Sequence, residues 1–111
     1  MQLQVSTSKA GPATVVSAIG ELDLHTAPEL DSELGKATGA REALLVVDLS
    51  GVDFMDSTGL STIVTAVAAS RGFGGEVRVV ATSDKIKKVF TLTGVDQQVG
   101  LYESVAEATA S

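Results

Sequence analysis

Residues 43–49 read Ala-Leu-Leu-Val-Val-Asp-Leu, an apolar run broken by one polar side chain. A strand without apolar–polar alternation is covered on both faces, as in the interior of a parallel sheet whose crossover helices lie over it. This segment therefore predicts a central strand and an α/β arrangement around it.

The flanking sequence supplies the rest of such a sheet. Residues 2–8 alternate Leu3, Val5 and Thr7 against Gln2, Gln4 and Ser6, the period of a half-buried strand. Gly11-Pro12 marks a turn, and residues 14–19 complete a predicted hairpin. Residues 20–25 read as a loop with a short strand-like centre. Thr26 opens a predicted helix as N-cap, with Pro28 in the first turn and Glu29 completing a T-x-x-E capping box. Ala27, Leu30, Leu34 and Ala37 share one face of it, and Gly39 ends it.

Beyond the central run, residues 50–56 read as a tight acidic loop. A second helix follows, with Leu60, Ile63, Val64, Val67 and Ala68 at helical spacing and Gly72 as its stop. Residues 76–82 form another predicted strand, and Ser83 or Asp84 caps a third helix bearing Ile86, Val89, Phe90 and Leu92. Gly94, a short strand at 99–102 and a small helix at 104–110 complete the chain. The expected fold is α/β, one domain over residues 1–111: a mixed four- to five-stranded sheet with about four helices packed mainly on one face.

Composition excludes several function classes. With no cysteine, disulfides, thiolate metal sites and thiol catalysis are out. A net charge of −6 argues against nucleic acid and for a basic protein partner. The start of the chain has no basic and apolar leader, and no apolar run reaches the roughly 20 residues of a membrane span. A soluble, cytoplasmic protein, monomeric when free, is expected.

The informative stretch is Val46 to Leu60, where a buried strand ends, acidic residues follow and a helix begins at Ser57 or Thr58. Ser57 occupies the position of an N-cap, its hydroxyl facing the free amides and positive end of the helix. Such a place also accepts a phosphoryl group, which adds charge of about −1.5 to −2 beside Asp53 and Asp56. Gly59 has no side chain to obstruct an approaching group. From these residues alone, Ser57 reads either as a plain cap or as a phosphoacceptor.

Three blocks together resemble the STAS domain of bacterial anti-sigma factor antagonists: residues 20–27 (GELDLHTA), 54–60 (FMDSTGL) and 89–95 (VFTLTGV). The resemblance covers nearly the whole chain and implies a partner switch in transcription regulation, of the kind used in stress response or sporulation. It implies that the unphosphorylated form binds an anti-sigma factor that is also a serine kinase, and so releases the sigma factor. Phosphorylation at Ser57, within Asp-Ser-[Ser/Thr]-Gly-Leu, ends that binding, and a PPM-type serine phosphatase restores it; Thr58 is a minor alternative site. ATP belongs to the kinase, so no cofactor or metal is implied for this chain. By the same resemblance Glu21, Asp23, Thr26, Asp56, Ser57, Thr58, Gly59, Leu60 and Ser61 form the partner-binding surface.

Rival readings are weaker on the residues. A Ser57–His25–Asp triad lacks the G-x-S-x-G elbow, and His25 is the chain's one histidine. Asp53 and Asp56 do not have the spacing of a phosphotransferase Asp-x-Asp or an aspartic-protease Asp-Thr-Gly. Gly72-Phe73-Gly74-Gly75 lacks the Lys-[Ser/Thr] of a P-loop, and Lys85, Lys87 and Lys88 read as a solvated helix face. No enzymatic activity is expected. The remaining alternative is a non-switching STAS scaffold or transport-accessory subunit.

Overall fold

The long central strand organises the molecule. A computed structural model describes residues 2–110. In chain order its elements are β1 (Leu3–Ala10), β2 (Ala13–Leu22), α1 (Ala27–Gly39), β3 (Leu44–Met55), α2 (Ser57–Arg71), β4 (Glu76–Val80), α3 (Asp84–Thr93), β5 (Gly100–Tyr102) and α4 (Val105–Ala108), with a 3-10 turn at Val95–Gln97. The five strands lie in the order β1-β2-β3-β4-β5. β1 and β2 pair antiparallel as a hairpin, and every later neighbour pair is parallel. The mixed α/β sheet expected from the sequence is thus present.

Side chains alternate between two cores. Val16, Ala18, Leu45, Val47, Val77 and Val79 point to one face, where Leu30, Leu34, Ile63, Val67, Ile86 and Phe90 of α1, α2 and α3 cover them. Val15, Val46 and Val80 point to the other face and meet Val105 and Ala108 of α4. Burial on both faces explains the unbroken apolar run of the central strand. Three helices share one layer, as expected, and α4 departs from it by closing the opposite face.

Two strand ends run further than their sequences suggest. β2 continues through Leu22 and β3 through Met55, so residues 20–22 and 50–55, read as loops, are strand. The two extensions pair with each other: Ile19 opposite Gly51, Gly20 opposite Val52, Glu21 opposite Phe54 and Leu22 opposite Met55. One register shift precedes this stretch, between Ser17 and Ile19, and a second falls within it, between Gly20 and Glu21. Gly20 sits at one of them with φ +121°, and a Cβ there would lie 2.3 Å from the carbonyl oxygen of Gln2, so only glycine fits. At the far end of the sheet, Gly94 closes α3 in the left-handed conformation (φ 79°). Leu92, expected on the apolar face of α3, is instead 83% exposed, while Ile86 and Phe90 carry the packing.

Candidate functional site

The paired tails of β2 and β3 deliver the start of α2 to one end of the sheet. The amide of Asp56 donates to the Leu22 carbonyl at 3.1 Å, adding one more rung beyond the last strand pair. Asp56 itself is extended (φ −100°, ψ −175°) and is the N-cap of α2. Its Oδ1 accepts the amides of Thr58 and Gly59, both at 3.0 Å. Ser57 is therefore not the cap. Both residue types cap well, and here the carboxylate takes the position. Ser57 becomes the first helical residue, and its side chain is exposed.

The loop from β2 into α1 is built from buried polar groups. Thr26 Oγ1 accepts the amide of Asp23 at 2.9 Å and donates to the Glu21 carbonyl at 2.7 Å. Asp23 Oδ1 accepts the amides of His25 at 2.9 Å and Thr26 at 3.1 Å. Burial pushes the Asp23 carboxyl upward, but the Thr26 and His25 amides outweigh it and hold the group below the usual carboxylate range. Thr26 precedes α1 as expected, yet its hydroxyl makes no cap bond to the helix, so the predicted capping box does not form. That oxygen is already engaged inside the loop.

These facts revise the roles of the expected docking residues. Asp23 and Thr26 are 6% and 5% exposed, so they supply the loop's shape rather than a surface. Gly59 and Leu60 are buried as well. A Cβ on Gly59 would meet Leu22 Cγ at 2.6 Å; the glycine lets α2 close on β2 and does not clear a path for a ligand. Ser57 and Ser61 are exposed, and Glu21, Asp56 and Thr58 are half-buried. Phe54 and Met55 lie in β3, with Met55 buried and Lys85 Nζ 5.3 Å from the Phe54 ring centroid.

Sequence reasoning missed Leu24. It is 64% exposed, and its amide donates to Asp56 Oδ2 at 3.2 Å. Beside it a groove of about 350 Å³ runs between α1 and α2. An apolar residue inside the polar stretch Asp23–Thr26 was the available signal. All three amides held by Asp56 come from the two segments that frame this corner. Among the described residues, no group of three or more His, Cys, Asp or Glu is placed to hold a metal ion, and no helix is long and apolar enough to cross a membrane.

The STAS domain family matches residues 4–108. The chain belongs to the STAS family. Its similar STAS relatives include an anti-sigma-B factor antagonist of Staphylococcus aureus, 34% identical over 97 residues that span 86% of this chain and 88% of the relative. An anti-sigma-F factor antagonist, RsfB of Mycobacterium tuberculosis, is 30% identical over 106 residues, spanning 96% of this chain and 86% of the relative. Among solved structures, an anti-sigma factor antagonist from Mycobacterium paratuberculosis superposes with a TM-score of 0.92 at 29% identity, over 98% of this chain and 92% of that one. The STAS fold expected from the three sequence blocks is the fold observed, and its Asp-Ser-Thr-Gly-Leu segment forms the entrance to α2, with Ser57 its exposed residue.

Proposed function

We propose that this chain is an anti-sigma factor antagonist that works as a phosphorylation-controlled partner switch. One observation carries the reading: Ser57 is an exposed first-turn residue of a helix whose cap is supplied by its neighbour Asp56. Because the cap bonds belong to Asp56, esterifying Ser57 removes nothing that holds the helix in place. The positive end of α2 tolerates the added charge. The names of the relatives supply the anti-sigma factor as partner.

In this scheme the unmodified chain binds an anti-sigma factor that is also a serine kinase, and sigma factor is released. The Ser57 hydroxyl attacks the γ-phosphorus of the kinase's ATP. An O–P bond forms at Ser57 Oγ as the bond to the β-phosphate oxygen breaks, giving ADP and releasing the hydroxyl proton. The new dianion then faces the diphosphate it came from, with Asp53 and Asp56 close by in sequence. Like charges in a partly dry interface drive the pair apart. A PPM-type phosphatase hydrolyses the phosphoserine with water, returning the hydroxyl and inorganic phosphate. The chain serves as substrate and ligand, not as catalyst, and the exchange takes place in the cytoplasm.

The test is incubation with candidate anti-sigma kinases and ATP, read by intact mass. A gain of about 80 Da, absent in Ser57→Ala, supports the reading. Ser57→Asp should weaken anti-sigma binding, with folding stability within about 0.5 kcal/mol of the parent. Transfer to Thr58 alone, or ester hydrolysis by the purified chain through Ser57, overturns it.

A further inference from the structure

The groove between α1 and α2 has an uneven chemistry. Leu24, Ala27 and Pro28 give it an apolar wall, and Asp31 lies one helical turn further along α1. On the α2 side, Thr62 and Thr65 donate their hydroxyls to the carbonyls of Thr58 and Ser61 at 3.1 and 2.9 Å. Those donors are spent within the helix and offer a ligand little. Among the described residues, no lysine or arginine lines the groove. The groove thus joins an apolar side on α1 to a side on α2 lined by serine and threonine, where Thr58 and Ser61 add hydroxyls, and it carries one carboxylate on a chain whose net charge is −6.

Leu24 stands at this slot in a held position. Its side chain is 64% exposed, while its amide is bonded to Asp56 and the neighbouring Asp23 is buried in its own network. Because its main chain is already held, covering Leu24 with a partner costs little backbone ordering.

We propose that the groove is the docking site of an amphipathic helix of the anti-sigma partner. That helix lays an aliphatic side chain against the exposed Leu24 and Pro28 and sets a Lys or Arg on Asp31. The inference rests on the antagonist reading above. The occupant follows from charge complementarity: an acidic chain with a basic-free groove selects a cation, and the apolar wall selects an aliphatic group one turn away. The arrangement separates two tasks. The groove sets affinity for the partner in either state, and Ser57 sets the difference between states.

The probe is the anti-sigma factor from the same genome that binds the unmodified wild-type chain with a measurable Kd. Leu24→Ser and Asp31→Lys are each expected to weaken that Kd by roughly 10-fold or more. Neither should change the ratio between the Kd values of the Ser57→Asp and Ser57 forms. Affinity should fall with added salt in the wild type and less steeply in Asp31→Lys. Hydrogen exchange of the complex should show protection across residues 24–31 as well as at the start of α2. Both positions are exposed, so matched melting curves verify the fold.

Kd values within twofold of wild type for both variants, or protection confined to the first turn of α2, overturn the groove. Ser57→Asp still reports separately on the switch in that case. A wild-type chain that binds none of the anti-sigma factors overturns both readings together.

Discussion

Asp56 Oδ2 lies 3.2 Å from the amide nitrogen of Leu24, while Oδ1 of the same carboxylate holds the amides of Thr58 and Gly59. One side chain thereby caps α2 and ties the loop entering α1 to it. The helix that presents Ser57 and the loop that presents Leu24 share a single fastening.

Removing that fastening should be felt in stability. Asp56→Ala is expected to lower the unfolding free energy by about 1–2 kcal/mol, the worth of a helix cap, read as a lower urea midpoint. Asp56→Asn keeps an accepting oxygen at an equally suitable residue type and should lose much less. An alanine variant with the parent's midpoint contradicts the capping role.

Two glycines should respond to alanine with opposite signs. At Gly59 the new Cβ would lie 2.6 Å from Leu22 Cγ and 3.1 Å from the Leu22 carbonyl oxygen. Overpacking of that kind costs about 1–3 kcal/mol. At Gly35, within α1, a Cβ meets nothing within 4 Å, and the change should stabilise by about 0.5–1 kcal/mol. Denaturant titrations of the two variants, run in parallel, decide it; a shift of the same sign in both is incompatible with the packing described.

Acid should loosen the β2–α1 loop. The Asp23 carboxyl is held below its ordinary 3.8, with burial opposing and the Thr26 and His25 amides prevailing. A group whose folded pKa is depressed adds stability above its unfolded pKa and loses that contribution as pH falls through the folded value. Glu33, bonded by Lys36 and Thr7, and Glu42, bonded by Lys9 and Thr14, are shifted in the same direction. Unfolding free energy should thus be flat near neutrality and decline below about pH 4, in the range of ordinary carboxylates. Asp23→Asn should decline less steeply, and a steeper decline would reverse the sign assigned here.

What could be read from the residues was whatever local chemistry decides. The buried run of β3, the apolar face Leu30–Leu34 of α1 and the turn at Gly94 are all local patterns. The strand tails were hidden because Ser50-Gly51-Val52-Asp53 has the composition of a turn, and only pairing with the distant segment Ile19–Leu22 makes it strand. At the site, adjacent Asp56 and Ser57 are both good caps, and local pattern does not choose between them. The choice falls on Asp56, which also reaches Leu24 across 32 positions of sequence. Leu92 kept the helical period of α3 but lies where nothing covers it.

The loop that carries Leu24 depends on a hydroxyl that no helix-start pattern reveals. Thr26 Oγ1 accepts from the buried Asp23 amide and donates to the Glu21 carbonyl. Thr26→Val keeps the shape and removes both bonds, so a buried amide and a half-buried carbonyl lose their partner. The expected cost is about 1–3 kcal/mol. Thr26→Ser keeps the hydroxyl and gives up one buried methyl, a loss of about 1 kcal/mol. Valine should therefore be the more damaging substitution, the reverse of what simple apolar burial predicts. Because the same bonds place Leu24, Thr26→Val should also lose anti-sigma affinity at temperatures well below its melting point, whereas Thr26→Ser should retain it. Equal melting points for the two variants, or a valine variant that binds like the parent, would show that the loop takes its shape from something other than this hydroxyl.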